Sequence, residues 1–146
     1  MHNKSLLLQN KQQVSAIVFP ELCLTGYTCG DLFFQQTLLT SALNGLETIL
    51  KELKQEDIIC IVGLPIRVET NLYNCAAVCY HGRLLGIVPK TNLVDQGGLN
   101  ETRYFCTAPG YREIMLCNQT VPFGTNIIFS CDTLTEFQFG VEICKD

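Results

Sequence analysis

Histidine is scarce in this sequence, with His2 and His81 alone, and none of the nine cysteines belongs to a C-x-x-C pair. Zinc sites draw their ligands from such spacings, so no metal is expected. Long apolar runs are missing as well. No stretch approaches the roughly 20 residues that span a bilayer, and Leu6-Leu7-Leu8 is too short for a signal-peptide core, so no membrane partner is expected. A Gly-rich phosphate loop is absent, so nothing in the chain points directly to ATP or NAD binding. Positive charge is thin: 10 Lys and Arg face 14 Asp and Glu, a net of −4 with no basic face. Nucleic acid is therefore not an expected partner. There is no internal repeat and no low-complexity segment.

What is there suits a folded chain. The 146 residues are 47% apolar and 16% charged, which reads as one globular domain or part of one. Nine is an odd number of cysteines, no secretory signal accompanies them, and Cys60, Cys75 and Cys79 fall inside strand-like runs. Reduced thiols in a cytoplasmic protein are the better reading than a disulfide framework. On that reading the glycosylation sequons at Asn3, Asn100 and Asn118 are coincidental.

In chain order, residues 1–13 are polar and unpatterned, and read as the tail of a helix. Val14 to Phe19 reads as a short buried strand stopped by Pro20, with Glu21 directly after it and a Gly turn at Gly26. Leu39, Leu43, Leu46, Leu50 and Leu53 recur at helical steps, which predicts an amphipathic helix from Asp31 to about Glu56, with Asp31 as N-cap. Ile58 to Val62 is a second buried strand, ended by Gly63 and Pro65. Asn74 to Tyr80 and Arg83 to Val88 flank His81-Gly82, a two-residue hairpin signal. The stretch from Thr91 to Phe123 is rich in turns and too long for an idle loop. Asn126 to Cys131 and Phe137 to Cys144 are expected to form a final strand pair that delivers Cys144 from a buried strand. Buried strands with a helix laid on them imply an α/β layer structure.

Glu21, Lys90 and Cys144 share a position, each directly after or at the end of a predicted strand. If those strands are neighbours, the three side chains meet at one edge. A carboxylate can then take the thiol proton, the thiolate attack an electrophilic carbon, and the ammonium stabilise the resulting oxyanion. Taken singly, a capping Glu, a solvated Lys and a core Cys are the more ordinary readings.

The motifs carry more. Phe19-Pro-Glu-Leu-Cys-Leu-Thr-Gly-Tyr-Thr-Cys-Gly-Asp-Leu-Phe33, Gly86-Ile-Val-Pro-Lys90 and Gly140-Val-Glu-Ile-Cys-Lys-Asp146 resemble the carbon–nitrogen hydrolase (nitrilase) superfamily. Within it they look most like the glutaminase domains of glutamine-dependent NAD synthetases, with further matches at Val62-Gly-Leu-Pro65 and Leu72-Tyr-Asn-Cys-Ala76. The resemblance implies an αββα sandwich, with Glu21 as general base, Lys90 as oxyanion-stabilising group and Cys144 as nucleophile. It implies glutamine as substrate, hydrolysed through a thioester, and places Tyr27 near the glutamine site. No cofactor is implied for this chain itself. ATP and deamido-NAD would bind a separate synthetase domain, in a homo-oligomeric parent, and the ammonia would travel there. A stand-alone amidase of the same superfamily and an inactive remnant are the alternatives.

Three departures from the family pattern shape the expectations. The family carries a pattern like E-F-Y-E-x-R after the lysine, and the ungapped match sets Gly98 at its first glutamate and Glu101 at its second. On this reading Gly98 removes the carboxylate that would support Lys90, and Glu101 is no obvious replacement. Lys145 stands where the family usually has Glu. The family's first strand, most of its first helix and its C-terminal half are also missing, so residues 1–146 are expected to form an incomplete domain.

Overall fold

The computed structural model describes residues 14–132, 134 and 136–146; the expected helix tail over residues 1–13 lies outside them. Six strands form one sheet in the order β1-β2-β3-β4-β6-β5: β1 Ala16–Val18, β2 Ile59–Val68, β3 Asn71–Tyr80, β4 Arg83–Pro89, β5 Arg112–Leu116 and β6 Gln119–Phe123. β1 runs parallel to β2, and β4 parallel to β6, while the hairpin pairs between them are antiparallel. β7 Phe129–Ser130 and β8 Gln138–Phe139 make a separate two-stranded piece.

Alternation along the strands sorts their side chains onto two faces. Cys60, Val62, Leu64 and Ile66 of β2 and Tyr73, Cys75, Ala77 and Cys79 of β3 face helix α1 (Gln36–Glu52), whose Leu46, Ile49 and Leu50 close that core. Ile61, Ala76, Val78 and Val88 face the other way, under Phe129 and Ile143. Burial on both faces explains why the central strands read as near-continuous apolar runs. Helix, sheet and the opposing two-stranded piece give the layered α/β architecture that the sequence implies.

Several local expectations are met and several corrected. His81 and Gly82 both adopt positive φ, 47° and 74°, as a tight primed hairpin turn requires. β2 does not stop at Gly63 and Pro65 but continues to Val68. β1 pairs only with Ile59 to Ile61, so Pro65 lies where that side of β2 has no neighbouring strand and a missing N–H is tolerated. The helix starts at Gln36 after a 3₁₀ turn over Gly30–Phe34, and Asp31 does not cap it. The stretch after Thr91 hides the β5–β6 hairpin, turned at Cys117 and Asn118 with φ of 48° and 59°. No glycine marks that turn, which is why it reads as loop. The predicted last strand shrinks most: β8 covers two residues, and Cys144 lies beyond it, exposed in a turn.

Candidate active site

Three connections carry the candidate residues to one end of the sheet, on the face opposite α1. The first leaves β1 and crosses directly over β2. A Cβ at Gly63 would fall 2.5 Å from the Leu22 backbone nitrogen and 2.6 Å from the Pro20 oxygen, so only glycine lets this segment lie so close. Leu22 sits at φ 51° and is wholly buried, which pins the backbone on either side of Glu21. The second connection follows β4: Lys90 donates its backbone N–H to the Asn74 carbonyl at 2.8 Å, one step beyond the last β3–β4 pair. The third carries Cys144.

Lys90 is the centre of the arrangement. Its side chain is 1% exposed, and its Nζ donates to Glu21 Oε1 at 2.7 Å and Glu101 Oε1 at 2.8 Å. Burial disfavours the ammonium, but its hydrogen bonds to Glu101 and Glu21 outweigh it and hold its pKa above the ordinary lysine value. Glu101 is 2% exposed and nearly saturated. Besides Lys90, its Oε1 accepts from the Tyr27 hydroxyl and its Oε2 from the Val94 backbone N–H at 2.7 Å. Burial pushes its carboxyl up, yet Lys90, Tyr27 and Val94 together bring it below the usual carboxylate range. Burial and the Glu101 carboxylate push the Tyr27 phenol up in turn. Asn74 completes the group, its Nδ2 donating to Glu21 Oε1 at 2.7 Å.

The expectation that Gly98 leaves Lys90 without a supporting carboxylate is therefore corrected. Glu101 occupies that place. The turn that presents it is built locally: its backbone N–H donates to the Val94 carbonyl at 3.1 Å, and Asp95 accepts from the Thr102 N–H at 3.0 Å. Arg103 then clips the turn to the first connection through both oxygens of Asp31, at 2.9 and 3.0 Å. Gly98 adopts φ 86° with nothing within 4 Å of a built Cβ, so it serves the loop's bend and not the lysine.

Cys144 stands apart in character. It is exposed, at φ 59°, in a turn closed by the Asp146 N–H to the Ile143 carbonyl at 3.2 Å. Asp146 anchors that turn to the residues after Lys90: its Oδ1 accepts from the Thr91 and Asn92 N–H groups at 2.9 and 2.7 Å. Asn92 answers with its Nδ2 to the Lys145 carbonyl at 3.1 Å. Cys144 and Glu21 line one cleft of about 120 Å³, together with Asn74, Ala76 and Ile143. Tyr27 lines a neighbouring one of about 200 Å³ with Glu101 and Tyr104.

Of the residues singled out in the sequence, the structure joins Lys90 to Glu21, sets Tyr27 against Glu101 and puts Cys144 on the cleft that Glu21 lines; the sequence reading passed over Glu101 and missed Asn74 and Asp146. Asn74 had a signal, a lone amide inside the apolar run from Leu72 to Tyr80. Buried polar residues are rare enough that one in a central strand marks a polar site. The buried polar side chains of the described residues are Asn74, Lys90 and Glu101, and all three join this one network. Among the described residues no group of His, Cys, Asp and Glu is placed to hold a metal ion, and no helix is long and apolar enough to cross a membrane.

Similarity to known proteins follows the same lines. The glutamine-dependent NAD(+) synthetase of Mycobacterium tuberculosis H37Rv is 35% identical over 130 residues, which is 88% of this chain and 19% of that protein. The Bos taurus glutamine-dependent NAD(+) synthetase is 30% identical over 138 residues, 87% of this chain and 19% of its own length. The chain therefore spans about a fifth of the relatives it matches. The crystal structure of a glutamine-dependent NAD(+) synthetase from Cytophaga hutchinsonii superposes with a TM-score of 0.87 at 28% identity, covering 98% of this chain and 24% of that one. The carbon–nitrogen hydrolase family matches from residue 4 to residue 146, nearly the whole sequence, and this chain belongs to it.

Proposed function

We propose that this chain carries the amide-hydrolysing site of a glutamine-dependent NAD synthetase, with Cys144 as nucleophile, Glu21 as base and Lys90 as oxyanion donor. The observation that carries the reading is the buried Lys90 held between Glu21 and Glu101, with Glu21 lining the cleft that Cys144 also lines. An ammonium has three N–H donors, and two are spent on the carboxylates. Among the described residues the third has no partner, which leaves it for an oxygen that gains charge. The Cys144 sulfur attacks the glutamine side-chain carbonyl carbon while its proton passes to Glu21, and the carbonyl oxygen becomes an oxyanion facing Lys90. Collapse expels ammonia with that proton and leaves a thioester, which water cleaves to glutamate. Tyr27 shapes the substrate side of the site. In the parent protein the ammonia serves ATP-dependent amidation of deamido-NAD in a synthetase domain; that the relatives are glutamine-dependent NAD(+) synthetases supports the coupling of glutamine to NAD synthesis.

The test is covalent capture. A glutamine analogue with a diazoketone at the amide position should alkylate Cys144, identified by peptide mass, with glutamine protecting it and asparagine not. Cys106, which is also exposed, is the internal control and should stay unlabelled. Equal labelling of the two thiols, or no protection by glutamine, refutes the reading.

A further inference from the structure

The described side chains leave one buried polar atom without a hydrogen-bond partner, Oδ1 of Asn74. Asn74 is 1% exposed, on a strand whose neighbours on the same face, Leu72, Ala76 and Val78, are apolar. An orphaned buried carbonyl is unfavourable, and turning the amide over does not relieve it. Nδ2 lies 2.7 Å from Glu21 Oε1, a carboxylate oxygen that can only accept, so the flipped amide would set two acceptors face to face. Glu21 fixes the orientation, and the orphan is its consequence. A leucine of similar size would remove the orphan, so the amide is retained for what its Nδ2 does.

Its effect falls on Glu21. Both donors to that carboxylate, Asn74 Nδ2 and Lys90 Nζ, converge on Oε1 at 2.7 Å each. They arrive from β3 and from the end of β4, two adjacent strands of the rigid sheet. Oε2 receives no hydrogen bond among the described residues, so it is the oxygen with capacity to take a proton. Asn74, Glu21 and Cys144 line the same cleft.

We propose that Asn74 is a positioning residue: its carboxamide holds Glu21 by Oε1 so that Oε2 is the basic oxygen presented to the Cys144 thiol. This rests on the assignment of Glu21 as base and Cys144 as nucleophile. The step served is transfer of the Sγ proton to Glu21 Oε2 as the new sulfur–carbon bond forms. Removing Asn74 frees the carboxylate to rotate about its stem, so that the thiol must give its proton to solvent instead of a positioned base.

Alkylation by iodoacetamide tests this without a substrate, because the sulfur–carbon bond forms with loss of iodide and the thiol proton. The rate at Cys144 in the full chain is followed by peptide mass across the pH range, with Cys106 as internal reference. In Asn74→Leu the neutral-pH rate at Cys144 should fall about 10- to 100-fold, since a misplaced base forfeits most of its contribution. The acidic limb of its pH–rate profile should move to higher pH. Asn74→Asp keeps the shape but replaces the donor with a second carboxylate, and should move that limb further the same way. Should the Leu variant lose its circular-dichroism melt, the Asp variant decides alone. An unmoved Cys144 profile in the folded variants overturns the proposal, since a merely structural amide predicts that result. Glutamine protection of wild-type Cys144 separates the two claims. A shifted profile without protection sinks the glutamine reading and upholds Asn74; protection with an unshifted profile sinks Asn74 alone.

Discussion

The Lys90 side of the cleft and the Cys144 side rest on different amounts of structure. Lys90 directly follows a seven-residue strand in mid-sheet, is 1% exposed, and reaches two carboxylates fixed by further hydrogen bonds. Cys144 follows a two-residue strand, is exposed, and is held in place chiefly through Asp146 and the packing of Ile143. Charge explains the asymmetry. A buried ammonium is tolerable only when every partner is in place, so the fold must over-determine that half. A thiol carries no such penalty and can sit on a light arm. Precision is therefore concentrated where desolvation demands it, and the nucleophile is brought to it by a few backbone contacts.

Changes on the two sides should separate accordingly. Lys90→Met leaves the Glu21 and Glu101 carboxylates close together with no cation between them, and should cost about 3–5 kcal/mol in urea denaturation. A loss below about 1 kcal/mol would mean that water already reaches and screens this network.

Glu101→Gln should come next, at about 1–3 kcal/mol, because a neutral amide still fills the space but no longer matches Lys90. This residue also sets a pH dependence. Its folded pKa lies below the ordinary 4.5, so its contribution is complete above that value and drains away as pH falls through the lowered one. Lys90, raised above its ordinary 10.5, contributes below that value and loses its share as pH climbs past it. Urea midpoints should accordingly drop below about pH 4.5 in the wild type and less steeply in Glu101→Gln. Parallel curves would remove Glu101 from the acid sensitivity.

Gly63→Ala probes how tightly Glu21 is set. The added methyl meets backbone, not a flexible side chain, so overpacking of about 1–3 kcal/mol is expected. The Cys23 and Leu24 amides, which bond Pro20 and Gly63 carbonyls, should exchange hydrogen faster in the variant. Unchanged exchange would show that the segment can move aside freely.

The smallest expected effect on stability is on the other side. Asp146→Ala should cost about 1 kcal/mol or less, since its bonds lie near solvent. Exchange at the Thr91 and Asn92 amides should nevertheless rise sharply, and alkylation of Cys144 should change while Cys60, Cys75 and Cys79 stay slow behind their burial. A global loss rivalling that of Lys90→Met would erase the contrast between the two halves.

Some of this was written in the sequence by itself. The two-period and near-continuous apolar runs determined the central strands, Leu39 to Leu53 determined the amphipathic helix, and His81-Gly82 determined the hairpin between β3 and β4. The motif around Glu21, the one ending at Lys90 and the one containing Cys144 carried the family resemblance. These are signals between near neighbours in the chain, where geometry follows from local periodicity and turn chemistry. Only the tertiary structure decided which acid supports Lys90. Glu101 reaches it because the segment after Lys90 folds back through its own Val94 and Asp95, and no residue pattern encodes that return. The Asn74 amide, the Gly63 crossing over Leu22 and the Asp146 anchor likewise join residues 53, 41 and 55 positions from their partners in sequence. Contacts of that kind exist only once the sheet has set its strand order, because residues so far apart in the chain meet only when the strands that carry them are paired.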